Sequence, residues 1–304
     1  MPRAPHSREA TGVLYGLVAF SIWGFAPAYW KALQDFAPIE VLAHRVLWSA
    51  LIAMGLLAAT RRFGEYRTAL RSPRAVLPVA VASLLLGINW FVFIFAVASG
   101  QVLATSLGYY LNPLINVVLG LLVLRERLRP LQWLAVAIAA FGVGQFVYAL
   151  GELPWISLVL AVSFGLYGLV RKLAPVEPVA GFGVETTLLS VPALGFVLWL
   201  AVEGRGTIPR GELGWDAFIA ASGLLTAAPL VLFNAAARRL PLVTIGVLQY
   251  LAPSIAFVLA VAVYGEPFAG VYAWTFGCVW LALGVFAVEA WLASRRTAGF
   301  TPAR

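Results

Sequence analysis

The sequence predicts an all-α integral membrane protein with about ten transmembrane helices arranged as two inverted five-helix repeats. Of its 304 residues, 62% are hydrophobic and only 11% are charged, which is more apolar surface than one water-soluble core can bury. The apolar runs are continuous over about 20 residues, as membrane-spanning helices require, and do not alternate as the strands of a barrel do. In addition, one segment of the chain recurs at an offset of 140 residues.

Ten apolar runs are separated by charged or Pro/Gly-rich breaks, and each is predicted to span the membrane. They cover residues 12–30, 39–60, 75–98, 102–124, 131–150, 154–170, 179–202, 215–236, 242–264 and 270–294. The longest breaks, at 61–74 and 203–214, are too short to hold a soluble domain. Functional residues are therefore expected in or beside the bilayer.

The repeat is carried by a short motif. Residues 110–113 read Tyr-Leu-Asn-Pro and return at 250–253 as Tyr-Leu-Ala-Pro, while Glu126 returns as Glu266. A duplication spaced at nearly half the chain indicates two related units, which we place at residues 1–150 and 151–304. Five spans per unit is an odd number, so the second unit must enter the membrane from the other side. The repeat is therefore predicted to be inverted.

The basic residues are distributed unevenly between the two sides of the membrane. With the amino terminus in the cytoplasm, 17 of the 21 Lys and Arg residues fall on the cytoplasmic side, as the positive-inside rule requires. We therefore expect both termini in the cytoplasm. The net charge of +8 then reflects topology, so the predicted partners are the lipid bilayer and a small solute, with no nucleic acid, and the chain is a monomer or a homodimer.

Two charged residues, Arg45 and Glu185, fall inside spans, where each costs about 2.5 to 3.5 kcal/mol on insertion scales. They enter from opposite faces and lie some 10 Å deep in a core of about 30 Å, so they are not expected to touch. We predict instead that Arg45 pairs with Glu266 and that Glu185 pairs with Arg125 or Arg127. These pairs act as gates or coupling groups on the two sides of a cavity, or they are static ion pairs that only make insertion tolerable.

His44, next to Arg45, is the last candidate for gating or coupling. Its side chain projects about 100° away from that of Arg45 around the helix. It is either a proton carrier or a packed, hydrogen-bonded residue, and the packed role is the commoner one for a lone histidine.

Two prolines inside spans mark the predicted substrate site. Pro113 and Pro253 each remove a helix hydrogen bond and disturb the carbonyl four residues earlier, at Tyr109 and Gln249. Polar backbone groups freed at membrane depth need a cavity or a partner. The candidate substrate-binding residues are Tyr109, Tyr110, Asn112, Asn116, Gln249, Tyr250, Trp23 and Asn89. The alternative is a helix kink held by hydrogen bonds between helices.

Known enzyme motifs are missing from the sequence. It has no G-x-x-x-x-G-K-[ST] phosphate loop, no H-E-x-x-H among its two histidines, and no serine in G-x-S-x-G. We therefore expect no enzyme, no metal and no cofactor. The predicted function is secondary transport of small organic metabolites or drugs, by an exporter or exchanger that works by alternating access and draws on a coupling ion for uphill flux. The alternative is an intramembrane enzyme that acts on a lipid-linked substrate held by the buried Arg and Glu.

Several short motifs, in order along the chain, resemble one transporter family. They are Phe-Ser-Ile-Trp-Gly at 20–24, Ala-His-Arg-Val-Leu-Trp-Ser at 43–49, Asn-Trp at 89–90, Ser-Leu-Gly-Tyr-Tyr-Leu-Asn-Pro at 106–113, Glu-Thr at 185–186 and Ala-Ala-Ala-Arg-Arg-Leu-Pro-Leu at 235–242. Together they resemble the RarD branch of the EamA-type transporters in the drug/metabolite transporter superfamily. The resemblance implies a ten-helix bundle of two inverted five-helix repeats that acts as a permease in a bacterial inner membrane.

Overall fold

The structure is a computed structural model that describes residues 5–33, 35–99, 102–151, 155–209, 211–263 and 270–298. The first half contains α1 (Pro5–Ala32), α2 (Pro38–Ala59), α3 (Phe63–Arg71), α4 (Pro73–Ala98), α5 (Val102–Leu122) and α6 (Pro130–Leu150). The second half contains α7 (Trp155–Leu173), α8 (Pro178–Val202), α9 (Leu213–Ala237), α10 (Leu242–Gln249), α11 (Leu251–Val258), a π-helical turn (Leu259–Val263) and α12 (Gly270–Ala298).

The predicted ten-span, all-α fold is confirmed within these ranges. Eight helical segments are long and apolar enough to cross a membrane, and α5 and α12 add the apolar stretches 108–122 and 273–289. The ninth span consists of α10, α11 and the π-helical turn. Prolines open α2, α6 and α8, where their missing N–H would have no intrahelical partner in any case.

Helix α3 is the one element that the sequence analysis did not predict. It lies in the arginine-rich break after the second span, which was expected to be a loop. Phe63, Tyr66 and Leu70 form one apolar face, packed against a cluster that includes Leu57 and Val184, while its arginines point away from this face. The spacing of those three apolar residues is the helical signal that could have revealed it.

The contacts between helices are symmetric: when two helices pack together, the equivalent helices of the other halves also pack together. α1 packs on α9 as its equivalent α7 packs on α4, and α2 packs on α9 as α8 packs on α4. α5 packs on α7 as α11 packs on α1. Three pairs, α2 with α8, α5 with α10 and α6 with α12, join equivalent helices to each other. A pseudo-two-fold axis therefore relates the halves.

The equivalent helices run antiparallel, which sets the direction of this axis. The carboxylate of Glu40, at the start of α2, accepts hydrogen bonds from the N–H groups of Thr207 and Ile208, just beyond the end of α8, at 2.7 and 3.0 Å. Arg129, at the start of α6, lies 2.7 Å from Glu289 near the end of α12. The axis is thus perpendicular to the helices and the repeat is inverted, as predicted. We call the side on which α1 begins the amino-terminal face.

Glycines allow helices of the two halves to approach closely. A Cβ on Gly223 of α9 would lie 2.6 Å from the backbone of Trp48 in α2, and one on Gly142 of α6 would lie 2.5 Å from Cys278 in α12. Small residues are favoured at such contacts because packing, and not the release of water, holds helices together in lipid. Large apolar side chains such as Leu51, Leu77 and Leu84 stay exposed on the outside of the bundle, where lipid would cover them.

Candidate functional site

The two repeated Tyr-Leu-x-Pro motifs meet at the centre of the bundle. Gly246 of α10 lies against the carbonyl oxygen of Pro113 in α5, which a Cβ at that position would approach to 2.7 Å. The hydroxyl of Tyr250 donates to the carbonyl oxygen of its equivalent, Tyr110, at 3.4 Å. The fourth and ninth spans therefore cross at the pseudo-two-fold axis, as the repeat predicts.

The two prolines act differently on their helices. α5 continues through Pro113, whereas the ninth span breaks at Tyr250, between α10 and α11. The carbonyl of Tyr250 accepts the hydroxyl of Ser254 at 2.8 Å and its N–H at 3.1 Å. The motif is thus symmetric in sequence but not in backbone conformation.

A buried network of side-chain amides joins the two halves at this crossing. Asn116 donates from Nδ2 to Gln249 Oε1 at 2.7 Å and to Asn112 Oδ1 at 3.4 Å, and all three residues are buried. Within the described part of the chain, Asn116 Oδ1 has no hydrogen-bond partner. An unused acceptor at membrane depth carries a free-energy cost that a ligand or water can offset.

The tyrosines of the predicted site divide into two environments. Tyr110 and Tyr250 are 4% and 2% exposed and pack in one apolar cluster, with Phe146 and Phe276. Tyr109 is 49% exposed. In the structure, Tyr110 and Tyr250 therefore belong to the packed crossing, and Tyr109 lies half-exposed outside that cluster.

Trp23 and Asn89 lie apart from the proline crossing. Trp23 packs among the rings of Phe20, Phe164 and Phe233, at centroid distances of 5.7 to 5.8 Å. Asn89 donates from Nδ2 to the carbonyl oxygen of Leu160 at 2.9 Å and to Ser163 Oγ at 3.0 Å. Asn89 thus links α4 to α7, and Trp23 is part of an aromatic layer between α1, α7 and α9.

Arg45 projects between two indole rings. Its Cζ lies 4.4 Å from the ring centroid of Trp90 and 5.1 Å from that of Trp30, and Nε donates to Thr226 Oγ1 at 2.7 Å. No carboxylate of the described residues forms an ion pair with it. Its predicted partner, Glu266, lies outside the described residues.

Glu185 pairs with a residue that the sequence analysis did not select. Its carboxylate lies 2.8 Å from Nε of Arg171, and both side chains are fully buried. The predicted pairing with Arg125 or Arg127 is wrong, because those residues lie exposed in the turn after α5. Arg171 lies in the last turn of α7, and its guanidinium packs against Gly181 of α8. The long arginine side chain reaches from the end of α7 to the depth of Glu185.

Two further buried residues complete the environment of Glu185. Tyr167 donates its hydroxyl to Glu185 Oε2 at 3.3 Å, and Asn234 Nδ2 donates to the hydroxyl of Tyr167 at 2.9 Å. The sequence held one signal for this network: Tyr167 and Arg171 are four residues apart and so share one face of α7. His44, in α2, is half-buried, and within the described ranges its Nε2 has no hydrogen-bond partner.

The turn between α9 and α10, on the amino-terminal face, is held by one contact between the halves and one within the second half. The carboxylate of Glu126, after α5, accepts the N–H groups of Leu242 and Val243 at 2.7 and 3.0 Å, which caps the start of α10. Lys172 of α7 donates to the carbonyl oxygens of Ala237, at 2.9 Å, and Leu240. The turn between α9 and α10 is thus held from two sides.

An ionic ladder lies beside this turn. Glu177, before α8, is 3.1 Å from Arg238 and 3.8 Å from Arg62, and Arg62 is in turn 3.5 Å from Glu65. These residues are partly exposed, so each pair adds little stability by itself. The ladder nevertheless connects the α3 region of the first half to the second half on the amino-terminal face.

Comparison with known proteins identifies the family. The EamA-like transporter family profile matches residues 10–148. An uncharacterized transporter of Pseudomonas aeruginosa is 46% identical over 285 residues, which cover 94% of this chain and 96% of the relative. This chain belongs to the EamA-like transporter family. Protein RarD of Streptomyces exfoliatus is 40% identical to this EamA-like transporter, over 96% of the chain and 92% of the relative.

The fold of this EamA-like transporter also matches a solved structure. A protein crystal structure superposes with a TM-score of 0.70 and 21% identity, over 92% of this chain and 98% of the other. The similarity to transporters covers both five-helix halves. The EamA-like chain is therefore a multi-pass membrane permease with a RarD-type sequence.

Proposed function

We propose that this EamA-like permease is a secondary transporter of the bacterial inner membrane that exports or exchanges small organic metabolites or drugs. The observation that carries this proposal is the crossing of α5 and α10 on the axis of an inverted repeat. Inverted halves can exchange conformations, so that a face held closed in one state opens in the other. Glu126 joins the halves on the amino-terminal face, and Glu40 joins them on the opposite face, so each of these contacts must break in one of the two states of the proposed cycle.

The substrate site of this proposal lies between the crossing and the aromatic layer. Tyr109 is exposed toward a solute, and Asn116 offers an unused carbonyl acceptor. Tyr110, Asn112, Gln249 and Tyr250 hold the two crossing helices together, so their hydrogen bonds must rearrange when the halves exchange conformations. Trp23 and Asn89 border the same region on α1 and α4.

Coupling to an ion gradient is assigned in this proposal to Glu185. Its carboxylate is fully buried and contacts Arg171 and Tyr167. Addition of a proton to Glu185 would remove the charge that compensates Arg171, and so would favour a state in which Arg171 finds another partner. His44, whose Nε2 has no hydrogen-bond partner among the described residues, is the second candidate for carrying a proton.

Solute flux into sealed vesicles tests the transport proposal. The purified chain is reconstituted into liposomes, and uptake of a panel of labelled organic solutes is measured with and without a pH gradient. We expect protein-dependent uptake that the gradient accelerates in the wild type but not in Glu185→Gln. Conversion of lipid-linked substrates by the same vesicles, without net movement of solute, would support the intramembrane enzyme instead.

A further inference from the structure

We infer that Arg45 is the binding residue for the anionic group of the solute, so the substrates are organic carboxylates with a flat apolar portion. The inference rests on the proposed transport function and adds the substrate class. It starts from the contrast between the two arginines that lie among the transmembrane helices. Arg171 is 1% exposed and ion-paired with Glu185. Arg45 is only half-buried, and no carboxylate of the described residues neutralises it.

Side chains from four helices surround Arg45 of α2. The rings of Trp30 in α1 and Trp90 in α4 lie over its guanidinium, and Thr226 Oγ1 in α9 accepts the hydrogen bond that its Nε donates. Tyr109 of α5, half-exposed, is near enough to interact electrostatically with the guanidinium. Arg45, Trp90 and Tyr109 lie seven or eight residues from the ends of their helices, and so at a shared depth of about 10 to 12 Å below the face opposite the amino-terminal one.

None of the partners of Arg45 among the described residues carries a negative charge. Thr226 Oγ1 is a neutral acceptor for one N–H, and the two rings stabilise the cation by their π-faces without carrying an opposite charge. Of the five N–H donors of a guanidinium, the Nε donor is used by Thr226, and the two Nη groups form the fork that binds carboxylates in a bidentate way. An arginine placed in this way at membrane depth marks a substrate or ion pathway.

The surroundings of Arg45 also select the shape and charge of the ligand. The rings of Trp30 and Trp90 offer flat apolar surfaces beside the guanidinium, which suit an aromatic or otherwise planar group. One guanidinium balances one negative charge, so a monocarboxylate fits better than a dianionic phosphate. An organic cation would be repelled by the same group.

Matched probes that differ only in charge test this inference. Benzene, indole and naphthalene rings, each bearing an acetate, an acetamide or an ethylamine group, are titrated into the purified wild-type protein, Arg45→Gln and Arg45→Lys. Arg67→Gln is the control, because Arg67 is exposed on α3 and lies outside the spans. Binding is measured calorimetrically, and counterflow of the same probes is measured in liposomes.

The expected result is that at least one carboxylate binds the wild type about tenfold or more tightly than its own amide, since charge-assisted bidentate contacts are the strong ones. Arg45→Gln should abolish this discrimination, Arg45→Lys should retain part of it, and Arg67→Gln should leave it unchanged. Binding of no carboxylate above its amide would overturn the inference, and this outcome depends only on the wild type. Loss of discrimination in the control would also overturn it.

The two readouts separate this inference from the transport proposal. If carboxylates bind through Arg45 but no probe crosses the membrane, the anion site stands and the transport proposal fails. If amines or amides cross at a rate that Arg45→Gln does not change, transport stands and the anion site is wrong.

Discussion

Charged side chains among the spans are stabilised by a few specific side-chain partners. Glu185 has Arg171 on one carboxylate oxygen and the hydroxyl of Tyr167 on the other, and Asn234 fixes that hydroxyl. A buried ion pair is a weak source of net stability, but removal of one partner leaves an uncompensated charge in the interior. The pair therefore constrains α7 and α8 more than it strengthens them.

Replacement of one member of this pair should destabilise the fold more than replacement of both. We expect Arg171→Gln to lower the free energy of unfolding by about 3 to 5 kcal/mol and Arg171→Gln/Glu185→Gln to recover a substantial part of that loss. Thermal denaturation in detergent, followed by the fraction of monodisperse protein, measures both. A double variant less stable than Arg171→Gln would contradict an interaction between the two residues.

At the level of elements, the central crossing depends on the absence of a side chain at Gly246. A Cβ there would meet a backbone carbonyl, that of Pro113, and a backbone atom cannot move away as a flexible side chain can. Glu126 fixes the same helix, α10, at its first turn. α10 is thus short, held at its start and pressed against α5 along its length.

Gly246→Ala should therefore lower the thermal midpoint by several degrees, because an overpacked contact costs about 1 to 3 kcal/mol. Gly144→Ala on α6 is the matched control, since nothing lies within 4 Å of a Cβ built there. The control should be neutral or slightly stabilising, as alanine is the better helix former. Equal midpoints for the two variants would show that the helices can separate at the crossing without cost.

Loss of the cap on α10 should loosen the amino-terminal face. In a Cys278→Ala background, a cysteine at Thr244 should react slowly with a membrane-impermeant maleimide applied from that face, and Glu126→Gln should increase the rate. The reason is that two N–H groups lose a charged acceptor, at a cost of about 0.5 to 2 kcal/mol for a helix cap. Unchanged labelling in Glu126→Gln would argue that Lys172 alone keeps the turn in place.

The sequence predicted the positions of the helices better than it predicted which side chains pair between them. A span is a local property, so continuous apolar runs were enough to place all ten, and α3 was missed only because its apolar face is short. The prediction for the partner of Glu185 was wrong because it used only the depth of each residue in the membrane. Depth does not show which helices are neighbours in the bundle. In addition, the predicted sixth span ended at residue 170, so Arg171 was placed in a cytoplasmic loop, whereas α7 continues to Leu173.

The proline crossing shows the same limit. Repetition of Tyr-Leu-x-Pro predicted correctly that the fourth and ninth spans meet, since equivalent elements meet at the axis of an inverted repeat. It did not show that the ninth span alone would break, at Tyr250. Nor could it tell that Tyr110 would pack inward while its neighbour Tyr109 stayed exposed.

Over the whole molecule, ten spans return the chain to the face from which it started. The basic residues are concentrated on that face, so we propose that it faces the cytoplasm. A fluorescent protein fused after Arg304 should consequently fold and fluoresce, whereas alkaline phosphatase fused at the same point should be inactive. Active phosphatase would reverse the assignment of inside and outside without changing the fold.

The unequal sequences of the two halves bear on the energetics of the proposed transport cycle. If the halves were identical in sequence, the states open to either side would be related by the two-fold rotation and would have equal free energy, so an empty carrier would populate them equally. At the crossing, Asn112, which accepts a hydrogen bond from Asn116, is replaced by Ala252 in the second motif, and such differences remove this degeneracy. The unloaded protein therefore has a preferred resting state, and its apparent affinities for solute on the two sides of the membrane differ by the same bias.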